Sequence, residues 1–140
     1  MHTQDIPEIR KTVVVQAPAQ KVWSAVSTSE GIADWWMANT FEPMVGYEFL
    51  LHAGQFGDSP CTVTEVSPLK RVSFNWGKDW NLTFEIKQLE GEQTEFTLIH
   101  SGWDAAKVTE FGQPHAAIRE VMNDGWENII NKKFVPYVEG

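Results

Sequence analysis

Histidine and cysteine are the side chains of this sequence most able to bind a metal ion or to do acid–base and nucleophilic chemistry. The four histidines include no pair at metal-ligand spacing, and the single cysteine, Cys61, has no second thiol to complete a cluster. The chain also lacks the sequence patterns of a phosphate-binding loop, a dinucleotide site and a nucleophile elbow. The sequence therefore predicts no metal site and no cofactor, and it identifies no catalytic residue.

His100 is the histidine whose position suggests a role. In "TEFTLIHSGW" it alternates in phase with Phe96 and Leu98, so a strand at this place would turn it towards the core. One interpretation is a core histidine bonded to backbone or neighbouring side chains. The other places it on a cavity wall, where it donates or accepts a hydrogen bond to the polar end of a ligand. Acid–base catalysis would need a second polar group, and the sequence names none.

Cys61 lies in "CTVTEV", a run typical of a strand, with no charged residue directly beside it. This setting favours a small buried apolar residue over a reactive thiol. A lone cysteine cannot form an internal disulfide, which suits a reducing compartment. The first residues also lack a signal-peptide pattern, so we expect a cytoplasmic protein.

Charge and composition exclude several partners. The formal net charge is −8, which argues against nucleic acid and anionic membranes, because phosphate binding needs a basic surface. No apolar run approaches the roughly 18 residues that a membrane helix requires, so we expect no membrane insertion. The ordinary apolar and charged fractions predict one globular domain over residues 1–140. The oligomeric state stays open.

Bulky apolar residues alternate with polar ones through "RVSFNWGKDWNLTFEI", residues 71–86. Strict alternation on both sides of a short glycine-containing break predicts two half-buried strands joined as a hairpin. The apolar row of this hairpin consists of Val72, Phe74, Trp76, Trp80, Leu82, Phe84 and Ile86. We expect this row to face the last helix.

The remaining patterns predict a strand, two short helices, about five meander strands and one long helix from Pro114 to about Val138. Ser29 is the expected cap of the second helix. In the last helix, a broad apolar stripe includes Val121, and Gly125 is expected to allow close approach to the sheet. A curved antiparallel sheet of about six strands wrapped around the C-terminal helix would bury both apolar faces, so the predicted fold class is α+β.

Five segments, in this order, resemble those of a known superfamily: "APAQKVWSAVST", "WW" at residues 35–36, "VTEVSPLKRVSFNW", "LIHSGW" and "GWENII". The superfamily is SRPBCC, or START-like, and the sequence is most similar to the family of the C-terminal domain of the activator of the 90-kDa heat-shock protein ATPase. The resemblance implies a helix-grip fold that encloses an apolar cavity. It also implies a possible chaperone partner and a connection to the stress response.

The width of a helix and the spacing of strands in a sheet predict where such a cavity would lie. A helix is about 10 Å across, while strands repeat at about 4.8 Å, so one helix covers roughly two strands. The remaining sheet face is left to large aromatic residues or to a bound molecule. The expected ligand-binding residues are Trp36, Phe49, Phe74, Trp76, Trp80, Phe84, His100, Trp103, Met122 and Trp126. For each tryptophan, packing without a ligand is the equal alternative.

Three functions remain compatible with the sequence. The favoured one is non-catalytic binding of a small hydrophobic or aromatic molecule, lipid-like or polyketide-like. The first alternative is a co-chaperone or stress-response interaction module. The second is an enzyme of the polyketide cyclase or aromatase type, although a non-enzyme is favoured. A cavity of several hundred Å³ would favour ligand binding, and a filled interior would favour an interaction module.

Overall fold

The computed structural model describes residues 8–52, 58–77, 80–103 and 115–140. Its elements follow the predicted order, and Pro114, the predicted start of the long helix, lies outside the described residues. The elements are β1 (Ile9–Val15), α1 (Ala19–Ser27), α2 (Ser29–Trp35), β2 (Glu48–His52), β3 (Asp58–Ser67), β4 (Arg71–Trp76), β5 (Trp80–Gln88), β6 (Thr94–Ser101), α3 (His115–Ile129), a π-helical turn (Ile130–Phe134) and α4 (Val135–Glu139). The α+β prediction is confirmed.

Among the described residues, six antiparallel strands form one sheet in the order β1-β6-β5-β4-β3-β2. The predicted hairpin is β4 and β5, in which Phe74 pairs with Leu82 and Trp76 with Trp80. Phe74 and Phe84 are buried, as the alternation predicts, because both point to the sheet face that packs on the helices. The opposite face carries the charged partners of the alternation, including the Arg71–Glu85 ion pair.

A glutamine from the sheet caps α1. Pro18 occupies the N-cap position without a side-chain hydrogen bond. Gln88, at the end of β5, supplies the missing acceptor, since its Oε1 accepts from the Ala19 amide at 2.8 Å. Its Nε2, which has two N–H donors, also lies within hydrogen-bonding distance of three backbone carbonyls of the β5–β6 turn, at Leu89, Gly91 and Gln93. One side chain therefore fixes both the start of α1 and the following turn.

The cap of α2 differs from the prediction. Thr28 precedes the helix, and its Oγ1 accepts from the Gly31 amide at 3.0 Å. Ser29, the predicted cap, instead donates to the Asn39 carbonyl at 2.8 Å. The sequence "TSE" offers two hydroxyls in succession, and only the backbone conformation decides which of them occupies the cap position.

The C-terminal helix buries one row at four-residue spacing, made of Trp126, Ile130, Phe134 and Val138. Val121, assigned to the apolar stripe from sequence, is 65% exposed, so that assignment is wrong. The row passes through the π-helical turn, where the Val135 amide donates to the Ile130 carbonyl. The turn ends two residues before Pro136, whose ring would clash with the carbonyl four residues earlier in a regular α-helix.

Gly125 does not allow a close approach of the helix, contrary to the prediction. A Cβ atom added at this position would meet no atom within 4 Å. The backbone there is an ordinary part of α3, so nothing in its surroundings requires glycine.

Candidate ligand-binding site

The aromatic residues of the interior form two groups. The deep cluster contains the rings of Trp35, Phe74, Phe84, Phe96 and Phe134, extended by Phe49 and Phe41. The second group, here called the tryptophan cluster, consists of Trp36, Trp76, Trp80, Trp103 and Trp126 around His100. Stacking between Trp35 and Trp36, with ring centroids 6.0 Å apart, connects the two groups.

The structure thus brings together six of the residues predicted at the site: His100 and the five tryptophans of the cluster. The predicted phenylalanines Phe49, Phe74 and Phe84 lie in the deep cluster instead, where their rings pack against one another in turn. Met122 is half-buried on α3 and packs against the core. The sequence prediction therefore included residues of both the deep cluster and the tryptophan cluster. Alternation shows which face of the sheet a side chain lies on, and it does not show which of the two clusters the side chain joins.

Two further residues lie in the same rows of the sheet. Cys61 pairs with Trp76, and Leu82 pairs with His100. Both are buried on the inner face. Alternation with Phe84 on β5 identifies the inward face of Leu82 from the sequence, and alternation with Val63 on β3 does so for Cys61.

His100 is enclosed by aromatic rings. The Trp76 ring stacks on the imidazole at a centroid distance of 5.3 Å, and the Trp80 ring meets it edge-on at 5.0 Å. The Trp103 ring lies 4.6 Å away, and its Nε1 donates to the His100 carbonyl at 2.9 Å. The residue is 0% exposed. Burial among these rings removes the water molecules that would hydrogen-bond the imidazole. The faces of aromatic rings are weak substitutes for those hydrogen bonds.

The two imidazole nitrogens differ in their partners. Trp126 on α3 donates from Nε1 to His100 Nδ1 at 3.0 Å. His100 Nε2 is buried and has no hydrogen-bond partner among the described residues. Burial lowers the pKa of His100 from its ordinary value of 6.5 to about 3, so the ring is neutral at pH 7. His100 Nε2 is therefore a neutral polar atom in the interior with unused hydrogen-bonding capacity.

Cys61 is buried and its thiol does not ionise near neutral pH. Desolvation raises its pKa to about 12, and the Sγ atom lies 3.6 Å from the Ser59 carbonyl. A protonated thiol is a poor nucleophile. Cys61 therefore acts as a buried apolar residue beside Trp76, in agreement with the sequence.

The rings of the tryptophan cluster contact one another directly. Trp36 is half-buried and covers the cluster, with centroid distances of 5.0 Å to Trp126 and 5.3 Å to Trp76. An open groove of about 610 Å³ lies elsewhere, lined by charged residues of the outer sheet face such as Arg71, Glu85 and Lys87. A molecule entering the cluster would therefore have to displace a ring.

Two negative findings apply to the part of the chain that the structure describes. No group of three or more histidine, cysteine, aspartate or glutamate side chains is arranged to hold a metal ion there. No helix in that part is both long and apolar enough to cross a membrane.

An antiparallel sheet curved around a long C-terminal helix, with an aromatic interior between them, defines an α+β domain of the helix-grip type. The family model described as "Activator of Hsp90 ATPase homolog 1-like protein" matches residues 16–139, and the chain belongs to this family. No curated protein matches the sequence.

Solved structures share the fold. A protein from Bacillus halodurans is 41% identical, with a TM-score of 0.85 over 96% of this chain and 98% of that chain. The Aha1 dimer from Colwellia psychrerythraea is 20% identical, with a TM-score of 0.76 over 96% and 97% of the two chains. An HSP90 activator from Plasmodium falciparum is 16% identical, with a TM-score of 0.72 over 89% and 94%. The last two likenesses concern the fold alone.

Proposed function

We propose that this protein binds a small apolar or aromatic molecule, without transforming it, at the tryptophan cluster between the sheet and the C-terminal helix. The proposal includes a ligand in contact with Trp36, Trp76, Trp80, Trp103 and Trp126, with its inner end at His100. Phe84 connects to these rings through Trp35, and Phe49 and Phe74 lie beyond it in the deep cluster. Met122 packs against the core from α3.

One observation carries the proposal: the unpartnered Nε2 of His100 inside an aromatic shell. A buried polar atom without a partner costs about 1–3 kcal/mol relative to one that is satisfied. A leucine of similar size would avoid this cost, as Leu98 does two positions earlier on the same face of β6. A buried polar atom without a partner needs an explanation in a native protein, and apolar ligand-binding sites use a small number of polar groups to fix the orientation of the ligand.

Trp36 is the ring that a ligand would displace. It stands at the C-cap of α2 and is half-buried, whereas Trp76, Trp80, Trp103 and Trp126 are buried. A swing of this side chain towards solvent opens the space beside Trp76 and Trp126 without breaking a strand pairing. The cluster is then closed in the free protein and opens with the ligand.

Titration with 2-isopropenylnaphthalene, an uncharged aromatic hydrocarbon, tests the proposal. We expect saturable quenching of tryptophan emission and a rise in melting temperature, since a ligand that binds only the folded state stabilises it. Trp36→Ala should accelerate binding, because no ring then has to move. Trp23→Ala, a matched loss of a half-buried tryptophan outside the cluster, should leave binding unchanged. The absence of saturable binding to both the wild type and Trp36→Ala would refute the proposal.

A second function, an interaction module for a chaperone of the Hsp90 class, is favoured by the close packing of the cluster and by the family to which the chain belongs. In this case the rings serve only as core and the partner contacts the outer surface. The measurement is the ATPase rate of a purified Hsp90-class chaperone with and without this protein. A rate increase together with no binding of the naphthalene probe would favour the interaction module.

A further inference from the structure

Trp126 and His100 together determine which atom of the imidazole carries its proton. An indole N–H only donates, so the bond from Trp126 Nε1 requires His100 Nδ1 to accept. Burial keeps the ring neutral, and a neutral imidazole has one protonated nitrogen. The proton is therefore on Nε2, and the atom without a partner is a hydrogen-bond donor.

We propose that Trp126 is a positioning residue that holds His100 in its Nε2–H tautomer, so that the site selects a neutral aromatic ligand carrying a hydrogen-bond acceptor. This inference rests on the proposed function, and it further specifies that the end of the ligand next to His100 carries a hydrogen-bond acceptor. A carbonyl, ether or ring-nitrogen acceptor satisfies the Nε2–H group. A ligand whose inner end only donates leaves two donors facing each other.

The same geometry argues against a cationic ligand. Aromatic rings around a cavity can hold a quaternary ammonium group through cation–π attraction. Here the Nε2–H dipole places positive partial charge among the rings of Trp76, Trp80 and Trp103. A cation in that space would be repelled by the imidazole, and burial of its charge would be uncompensated.

A direct test of the tautomer uses the wild-type protein. Proton–nitrogen correlation spectra of the histidine rings should give His100 the pattern of the Nε2–H tautomer. In Trp126→Phe, which removes the indole donor, the pattern should change to a mixture of both tautomers. Trp23→Phe is the matched control and should leave the pattern intact. A wild-type His100 protonated on Nδ1 would overturn the proposal whether or not a ligand binds.

A matched pair of probes tests the selectivity. 2-Acetylnaphthalene and 2-isopropenylnaphthalene have the same shape, and a carbonyl oxygen in the first replaces a methylene group in the second. One net hydrogen bond corresponds to roughly three- to tenfold tighter binding of the ketone. This preference should disappear in His100→Leu and weaken in Trp126→Phe. Calorimetric titration measures both affinities.

The outcomes separate the two proposals. If both probes bind with equal affinity, the selectivity inference fails and the proposed function stands. If neither binds, the proposed function fails, and the tautomer is still decided by the spectra. Tighter binding of 2-naphthyltrimethylammonium than of the ketone would identify a cation-binding cage and overturn the inference.

Discussion

Trp126 Nε1 and His100 Nδ1 lie 3.0 Å apart and join the C-terminal helix to β6 through a hydrogen bond in the interior. Most of the contacts between these elements are apolar and impose little directional preference. The indole–imidazole bond adds a direction, because it forms only at one rotation of the helix. Because His100 in this pair is titratable and buried, its protonation makes the free energy of unfolding depend on pH.

Acidification should destabilise the protein through His100. Its pKa is about 3 in the folded protein and about 6.5 when unfolded, so between these values the unfolded chain binds one proton more. The free energy of unfolding is therefore highest above pH 6.5 and falls as pH decreases towards 3. We expect a loss of about 2 kcal/mol between pH 7 and pH 5 from this group, measured by urea unfolding at both values.

His100→Gln removes the titrating group and keeps an acceptor for Trp126. In this variant the destabilisation between pH 7 and pH 5 should largely vanish. His52→Gln is the control, since His52 is exposed beside Asp58 at 2.8 Å. An unchanged pH dependence in His100→Gln would contradict the assignment.

Gly125→Ala should stabilise the protein. Alanine is about 0.8–1 kcal/mol more favourable than glycine within a helix, and the added Cβ atom meets open space here. The expected gain is of that size in chemical unfolding. Gly31→Ala provides the contrast, because its Cβ atom would lie 2.4 Å from the Ser24 carbonyl oxygen. Stabilisation by Gly31→Ala or destabilisation by Gly125→Ala would conflict with the described packing.

Gln88→Ala should destabilise the protein by about 0.5–2 kcal/mol, the range for loss of a helix cap. Gln88→Glu keeps the acceptor for the Ala19 amide and loses the donors to the β5–β6 turn, so it separates the two roles. Glu90→Ala, an exposed change in the same turn, is the control. Equal effects of Gln88→Ala and Glu90→Ala on urea unfolding would show that the cap contributes nothing.

A fragment of residues 1–113 should not fold. It lacks Trp126, Ile130, Phe134 and Val138, which are buried against the sheet. Burial of each large apolar side chain contributes about 1.5–3 kcal/mol, so the summed loss is about as large as the total stability of a typical domain. Circular dichroism during heating is the measurement. A cooperative melting transition of the fragment would refute this prediction.

Alternation and helical spacing were sufficient to predict the order of elements and the buried face of the β4–β5 hairpin. Phe74 and Phe84 lie inside because strand geometry fixes which residues share a face. His100 was also predicted to face inward, by its phase with Phe96 and Leu98. Each of these predictions needs only the spacing of apolar residues within a single strand or helix.

Features that depend on two elements could not be predicted in this way. Nothing in the local sequence of α1 indicates that Gln88, 69 residues away, accepts from Ala19. The bond between Trp126 and His100 joins residues 26 positions apart and needs the angle between helix and sheet. Val121 was placed on the apolar stripe because a wide helical stripe has no sharp edge, and the actual contact face is narrower.

The π-helical turn at Ile130–Phe134 sets the rotational phase of the end of the chain. In a regular α-helix each residue adds about 100°, so side chains four apart drift by about 40° per step. Over the three steps from Trp126 to Val138 that drift would turn the last side chain about 120° away from the sheet. A turn with more residues removes part of this drift, and all four side chains stay buried. The π-helical turn thus keeps the end of the chain in line with the sheet, and it lies where Pro136 would disfavour a regular α-helix.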